Sequence, residues 1–215
     1  AEHEALYLPD SGMVSPKKLC AALTEGIEIR YESEISAIED VSEDMVIVCS
    51  GIGSLKLFPN ADLPLKAVRG QVTHIKPTNQ SEKMKAALCY SGYTTPAING
   101  MHMVGSTFQR WLDHSDILPE DDEDNLQKLQ EAVPALKGAY EVIGQRASVR
   151  TTSPDHFPVV GQVSENAYVS TAHGSHGIIS SLMAATLTTD MILDRPRCLP
   201  IETIKKLDPM RFHRA

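Results

Sequence analysis

Near the carboxyl end, a strand-like stretch from Ala167 to Ala172 runs through Gly174-Ser175-His176-Gly177 into an apolar helix from Ile178 to about Leu193. No other local pattern narrows the fold as much. Glycines at such a turn let backbone approach a ligand closely. The free N–H groups and positive dipole end of the helix start favour an anion or a developing negative charge. A tight strand-to-helix turn that only packs well would carry the same residues.

A related pattern occurs earlier. Met45-Val46-Ile47-Val48-Cys49 is continuously apolar and stops at Ser50-Gly51. Such a run predicts a buried parallel strand with a close backbone approach at its carboxyl end. Strand-to-glycine turns at that edge of a parallel sheet are where nucleotides sit. Gly51-Ile52-Gly53-Ser54-Leu55-Lys56 is not a GxGxxG, however, and it is not a P-loop. Before it, Ser15-Pro16 opens a helix with Leu19, Ala22 and Leu23 on one face and Gly26 at its end. Alternation then predicts strands at Ile27 to Glu32 and Ile35 to Ile38.

The middle has another texture. Gln71 to Ile75, Ala87 to Tyr90 and Met101 to Ser106 read as short strands separated by Pro, Gly and Asn, which predicts an antiparallel sheet. Leu126, Leu129, Val133 and Leu136 have helical spacing, and Pro134 kinks or splits that helix. The acidic run Glu120 to Asp124 reads as a solvated turn and helix start. Phe157 to Val160 returns to strand. The fold class is therefore α/β (α+β). Residues 1–61 and 147–215 make one layer from both ends of the chain, and 62–146 form an inserted, sheet-rich unit.

Composition sets limits. With 28 acidic and 20 basic side chains the net charge is −8, which argues against nonspecific nucleic-acid binding by this chain alone. The longest apolar candidate, Ile178 to Leu193, is broken by Ser180, Ser181, Thr186, Thr188, Thr189 and Asp190, so no membrane span is expected. The polar start AEHEALYLPD is not that of a signal peptide. Cys20, Cys49, Cys89 and Cys198 form no CxxC pair, and they read as reduced, buried thiols in a cytosolic setting.

Arg150, in Arg146 to Thr152, is a candidate carboxylate fork at a strand end, with a surface or ion-paired arginine as the alternative. His173 and His176 are spaced HxxH, but no nearby Asp, Glu or Cys completes a metal set, so no metal is expected. Ser175 lies in G-S-H-G, which is not a GxSxG elbow. Trp111 with Phe108, Tyr90 and Tyr93 reads as core packing, a pocket wall being the alternative.

Five segments in order carry a resemblance: Arg69–Gln71 (RGQ), Leu88–Pro96 (LCYSGYTTP), Val104–Phe108 (VGSTF), Ser148–Gly161 (SVRTTSPDHFPVVG) and Ser170–Ala185 (STAHGSHGIISSLMAA). Together they resemble the D-amino-acid-oxidase-type FAD-dependent oxidoreductases, which include glycine and sarcosine oxidases. The likeness is greatest to the oxidoreductase part of bifunctional tRNA-modifying members. It implies a partial FAD-binding layer with parallel strands and an inserted, mostly antiparallel substrate sheet. Gly12 to Pro16 fits a G-x-x-x-P stretch that lies midway in the family. The family's first strand, its GxGxxG turn and its acidic ribose ligand have no counterpart here. Nor does the methyltransferase domain of the tRNA-modifying members. Those parts, and tRNA itself, are the partners the resemblance implies.

The resemblance also assigns residues. Ser50 and Gly51 match the turn that approaches FAD. Gly174, Ser175, His176, Gly177 and Ile178 match the loop and helix start beneath the flavin pyrimidine ring. Arg150 matches the arginine that grips the substrate carboxylate, and Arg69 and Tyr90 are further substrate-side candidates. A covalent-flavin cysteine would fall near Ser148, where there is none, so FAD is expected to be noncovalent. The implied reaction is oxidative removal of a carboxymethyl group from carboxymethylaminomethyl-(2-thio)uridine at the tRNA wobble position. A small-molecule amine or amino-acid oxidase and a flavin-free structural piece stay open as alternatives.

Overall fold

The computed structural model describes residues 4–213; the first three residues of the polar amino terminus lie outside the described residues. The chain divides into two compact units.

One unit comprises the described residues up to Glu28, Gln71–Thr107 and Asp116–Ala147. Its first helix, α1 (Pro16–Leu23), starts as expected, with Ser15 as N-cap accepting from the Lys18 N–H. It buries no residue, so its apolar stripe does not serve a core here. A five-stranded sheet, order β3-β4-β5-β2-β6, belongs to this unit except for the first residues of β2, up to Gly70, and the last of β6, from Ser148, which count with the other unit. These strands are β2 (Lys66–Ile75), β3 (Leu88–Cys89), β4 (Tyr93–Thr94), β5 (His102–Gly105) and β6 (Val142–Thr152). The pairings β3–β4, β4–β5 and β2–β5 are antiparallel, as the Pro, Gly and Asn punctuation predicts. Ile75, Val104 and Leu129 form the core, with Leu126, Val133, Leu136 and Tyr140 packed against it.

Leu129 comes from α3 (Pro119–Ala132), which ends ahead of a separate 3-10 turn, Pro134–Leu136. Pro134 thus splits the helix because its ring cannot continue the hydrogen-bond ladder. The acidic start of α3 is not simply solvated. Asp121 and Asp122 are buried. Asp122 accepts from Gln71 Nε2, Thr73 Oγ1 and Gln145 Nε2 at 3.0, 2.6 and 2.9 Å. Three donors make burial of this carboxylate tolerable.

The other unit comprises Ile29–Gly70, Phe108–Ser115 and the described residues from Ser148. Its sheet has the order β1-β8-β7, from β1 (Val46–Val48), β7 (Val159–Ser164) and β8 (Ala167–Thr171). β1 runs parallel to β8, and β7 antiparallel to it. The parallel strand read from Val46 to Val48 therefore forms, but as an edge strand: Val48 is buried and Ile47 is about half exposed. After β1 come a 3-10 turn, Gly51–Gly53, and α2 (Ser54–Leu57). Val48, Val159 and Val169 sit in the core with Phe58 and Leu63. A second cluster joins Val160 to Ala184 and Leu187 of α4 (Gly177–Ile192) and to Leu207 of α5 (Ile201–Leu207).

The strands expected at Ile27 to Glu32 and Ile35 to Ile38 do not form. The chain forms no strand there, turns at Glu32 with φ +54°, and makes a 3-10 turn at Ile38–Asp40. Alternation has no ladder to join among the described residues, and Ile27, Ile29, Tyr31 and Ile35 are exposed. The buried thiols are also overturned: all four cysteines are free and exposed. Cys20 lies on α1, which has no buried face, Cys49 follows an edge strand, and Cys89 is on a two-residue edge strand.

Candidate active site

Strand ends assemble the site, all within the unit that contains β1 and β8. Gly51 follows β1 and has φ +60°, a left-handed conformation that glycine adopts without strain. A Cβ there would lie 3.1 Å from Thr151 Oγ1. Its carbonyl accepts from Thr171 Oγ1, at the end of β8, at 3.0 Å. Ser50 is exposed, and its hydroxyl lies 3.3 Å from that of Ser54.

The second turn is fixed in the same manner. Gly174, at φ +56°, donates its N–H to the Thr151 carbonyl at 3.0 Å. Gly174 is therefore tied to Thr151 of β6, and Gly51, held by Thr171, lies close to the same threonine. His173 precedes the turn and bridges strand to helix. Its Nε2 lies 3.1 Å from Ser170 Oγ, and its Nδ1 lies 2.9 Å from Ser180 Oγ. Burial pushes the His173 imidazole pKa down, which favours the neutral ring that two hydroxyls can satisfy. Ser175 and His176 are exposed, with Ser175 Oγ 3.2 Å from His176 Nδ1.

Gly177 and Ile178 open α4. Their N–H groups precede the first internal bonds of the helix, which run from Ile179 and Ser180 to the His176 carbonyl. A Cβ at Gly177 would meet only His173 Cβ, at 3.5 Å, so the protein itself leaves room for one. The α4 start thus presents backbone donors on an exposed turn, suited to a planar group that accumulates negative charge. These residues fit the ring end of a flavin. The phosphate end is another matter, since Gly51 to Lys56 lacks the glycine spacing of a dinucleotide cradle.

Arg150 directly precedes Thr151 on β6, is half-buried, and lies 5.8 Å from the centroid of the Phe108 ring. Arg69 is fully buried, and its guanidinium donates to Gln109 Oε1. Tyr90 belongs to the other unit, where its hydroxyl lies 2.6 Å from Thr94 Oγ1 and burial raises its pKa. Core packing is overturned for two aromatic residues: Trp111 is 76% exposed and Phe108 44%. They stand on a turn, where apolar character has no core to enter. Among the described residues, no group of three or more His, Cys, Asp and Glu side chains is placed to hold a metal ion. No helix among them is long and apolar enough to cross a membrane.

Sequence reasoning found the glycine turns but missed Thr151, Thr171 and His173 as the groups that fix them. A threonine ending a strand just before a glycine turn is the signal that could have found Thr171; Thr151, followed by Thr152-Ser153-Pro154, carries no such signal.

Parallel β1 and β8 ending at glycine turns, in a chain that also carries a mostly antiparallel sheet, fit the architecture of D-amino-acid-oxidase-fold flavoproteins. The chain belongs to the FAD dependent oxidoreductase family, whose pattern matches residues 2–191. It is 32% identical over 227 residues to the tRNA 5-methylaminomethyl-2-thiouridine biosynthesis bifunctional protein MnmC of Idiomarina loihiensis, covering 97% of this chain and 38% of that protein. The Nitrosospira multiformis protein of the same name is 30% identical over 237 residues, covering 96% of this chain and 38% of its own length. The chain therefore spans about two fifths of the curated relatives it matches. Among solved structures, glycine oxidase from Bacillus cereus matches with a TM-score of 0.61 at 25% identity, over 72% of this chain and 44% of that one. Glycine oxidase from Geobacillus kaustophilus shares the fold at a TM-score of 0.67 and 17% identity, over 78% of this chain and 45% of that one.

Proposed function

We propose that this chain forms the flavin-ring and substrate side of an enzyme that oxidatively removes the carboxymethyl group from carboxymethylaminomethyl-(2-thio)uridine at the tRNA wobble position. The observation that carries the reading is the meeting of both glycine turns at Thr151, one residue after Arg150: Gly174 is hydrogen-bonded to its carbonyl, and Gly51 lies so close to its hydroxyl that a Cβ would crowd it. The names of the relatives support the RNA substrate, and the family supports the redox chemistry.

In this reading residues 1–61 and 147–215 belong to the flavin-binding part and 62–146 to the substrate sheet. The dinucleotide cradle and a methyltransferase domain come from sequence outside these residues. FAD, held noncovalently, supplies the acceptor for two electrons. The substituent on the uridine is an N-alkylated glycine. Arg150 pairs its guanidinium fork with the carboxylate and so fixes the adjacent methylene. Backbone N–H groups at Gly177 and Ile178 stabilise negative charge that develops beside the helix start. Oxidation of the C–N bond gives an imine, and water then releases a two-carbon aldehyde acid, leaving aminomethyl-uridine. A neutral secondary amine needs no side-chain base for this step. Arg69 holds Gln109, and Tyr90 serves the substrate sheet.

A second reading, a small-molecule amine or amino-acid oxidase, is favoured by the net charge of −8 and by the likeness to glycine oxidase. Incubation of the FAD-loaded full-length enzyme, in which this chain is joined to the proposed dinucleotide cradle, with tRNA carrying the modified uridine separates the two. Nucleoside mass spectrometry should show loss of the carboxymethyl group with equimolar aldehyde acid. Aldehyde acid from glycine or sarcosine, with the RNA untouched, would establish the second reading instead.

A further inference from the structure

Trp111 is the only tryptophan of the chain and is 76% exposed. A side chain so large and apolar is seldom left in water without a partner to cover it. Its surroundings limit that partner. Phe108, also exposed, has the Arg110 and Arg150 guanidinium carbons 5.5 and 5.8 Å from its ring centroid. The turn is held rigidly: Gln109 exchanges two backbone hydrogen bonds with Arg69, at 3.0 and 2.9 Å, and accepts a third from the Arg69 guanidinium. Arg69 is itself fully buried. Gln109 thus anchors the turn while its neighbours Phe108 and Arg110 face solvent. All these residues lie in one unit.

We infer that the Phe108–Trp111 turn is an RNA platform, on which Trp111 stacks an unpaired base and Arg110 holds a backbone phosphate. This deepens the reading above and rests on it for the choice of RNA. Unpaired bases are recognised by stacking on aromatic rings and guanidinium planes, with cations alongside for the phosphates. In a chain of net charge −8, two guanidinium groups gathered at one aromatic turn form a local exception that suits a polyanion bearing bases. Asp113 is the one carboxylate between Phe108 and Ser115, and it is exposed. Arg150 stands at the edge of the platform, so a base seated on Trp111 would flank the nucleotide whose substituent Arg150 receives.

Because Trp111 is unique, its fluorescence reports one side chain. The test titrates the full chain with an unmodified anticodon stem–loop RNA and, separately, with heparin, a polyanion without bases. Saturable quenching by the RNA that weakens with salt, and none by heparin, is expected. By fluorescence anisotropy of labelled RNA, Trp111→Ala should weaken binding about tenfold or more. Arg110→Ala should flatten the salt dependence by about one phosphate contact. Both side chains are exposed, so melting temperatures should hold. Equal quenching by heparin, RNA binding without quenching, or full affinity in Trp111→Ala would each overturn the platform. The reaction is read separately, on the FAD-loaded full-length enzyme with RNA carrying the carboxymethylaminomethyl group: no aldehyde acid there, with quenching by the unmodified RNA intact, would sink the oxidation and leave the platform standing.

Discussion

Thr171 donates its hydroxyl to the Gly51 carbonyl at 3.0 Å, joining the end of β8 to the turn after β1. Both strands are parallel neighbours, so this bond holds two adjacent carboxyl ends at one level. Thr171 is 2% exposed, and Thr171→Val keeps its shape while removing the donor. A cost of about 1–2 kcal/mol in thermal or urea unfolding is expected. An unchanged midpoint would show that the bond does not brace the turn.

Gly177 and Gly174 separate packing from ligand approach. Alanine at Gly174 must adopt φ +56° and should destabilise the fold by about 1 kcal/mol. Alanine at Gly177 has room and favours helix, so Gly177→Ala should melt no lower than the parent. Flavin content of the FAD-loaded full-length enzyme should nevertheless fall in Gly177→Ala and further in Gly177→Val. Flavin content that merely tracks the folded fraction would make Gly177 an ordinary helix residue.

Asp155 gives the fold a defined acid limit. Arg211 Nε and Nη2 donate to its two carboxylate oxygens at 2.8 and 3.0 Å, and Ser153 Oγ donates at 2.8 Å. Burial pushes the carboxyl pKa up, but the Arg211 and Ser153 side chains and the Phe157 N–H more than offset it and hold it at about 2. Because the folded pKa is depressed, its stabilisation is complete above the unfolded value of about 4 and is lost as pH falls towards 2. With the carboxylate 38% exposed, about 1 kcal/mol is expected after screening. Asp155→Asn should lower the melting temperature at neutral pH and lose that difference by about pH 2. A difference that persists at the acid end would locate the effect elsewhere.

The chain alone should bind FAD weakly or not at all, since Gly51 to Lys56 cannot supply the glycine-rich pyrophosphate turn. Flavin fluorescence during an FAD titration reads this directly. Saturable submicromolar binding would mean that the ring-end contacts suffice.

What could be read from the sequence was local. The helix α4 and the glycine turn before it follow from residues adjacent in the chain, and so does the break at Pro134. The bracing of Gly51 by Thr171 joins positions 120 apart, and no periodicity reports it. Burial of Asp122 depends on donors from β2 and β6, so charge alone misread it. The eleven-residue β6 was foreseen only in its last part, because Gln145, Arg146, Ser148 and Arg150 obscure its apolar pattern. α5 is short, lies between Pro200 and Pro209, and was not foreseen. Alternation at Ile27 to Tyr31 and apolarity at Trp111 both suggested burial, yet neither residue type specifies what will cover it.

Anaerobic mixing of the FAD-loaded full-length enzyme with RNA carrying the carboxymethylaminomethyl group tests the proposed reaction most directly. Flavin absorbance should bleach with the parent protein. Arg150→Ala should lower kcat/KM by about 30-fold to a few thousand-fold, the cost of truncating one partner of a desolvated charge pair. Arg150→Lys should recover only part of that, keeping the charge without the fork. An RNA whose substituent lacks the carboxylate should react slowly with the parent and be indifferent to the substitution. No bleaching by the carboxylate-bearing RNA, or an equal loss with both RNAs in Arg150→Ala, would contradict the assignment of this chain to carboxymethyl removal through Arg150.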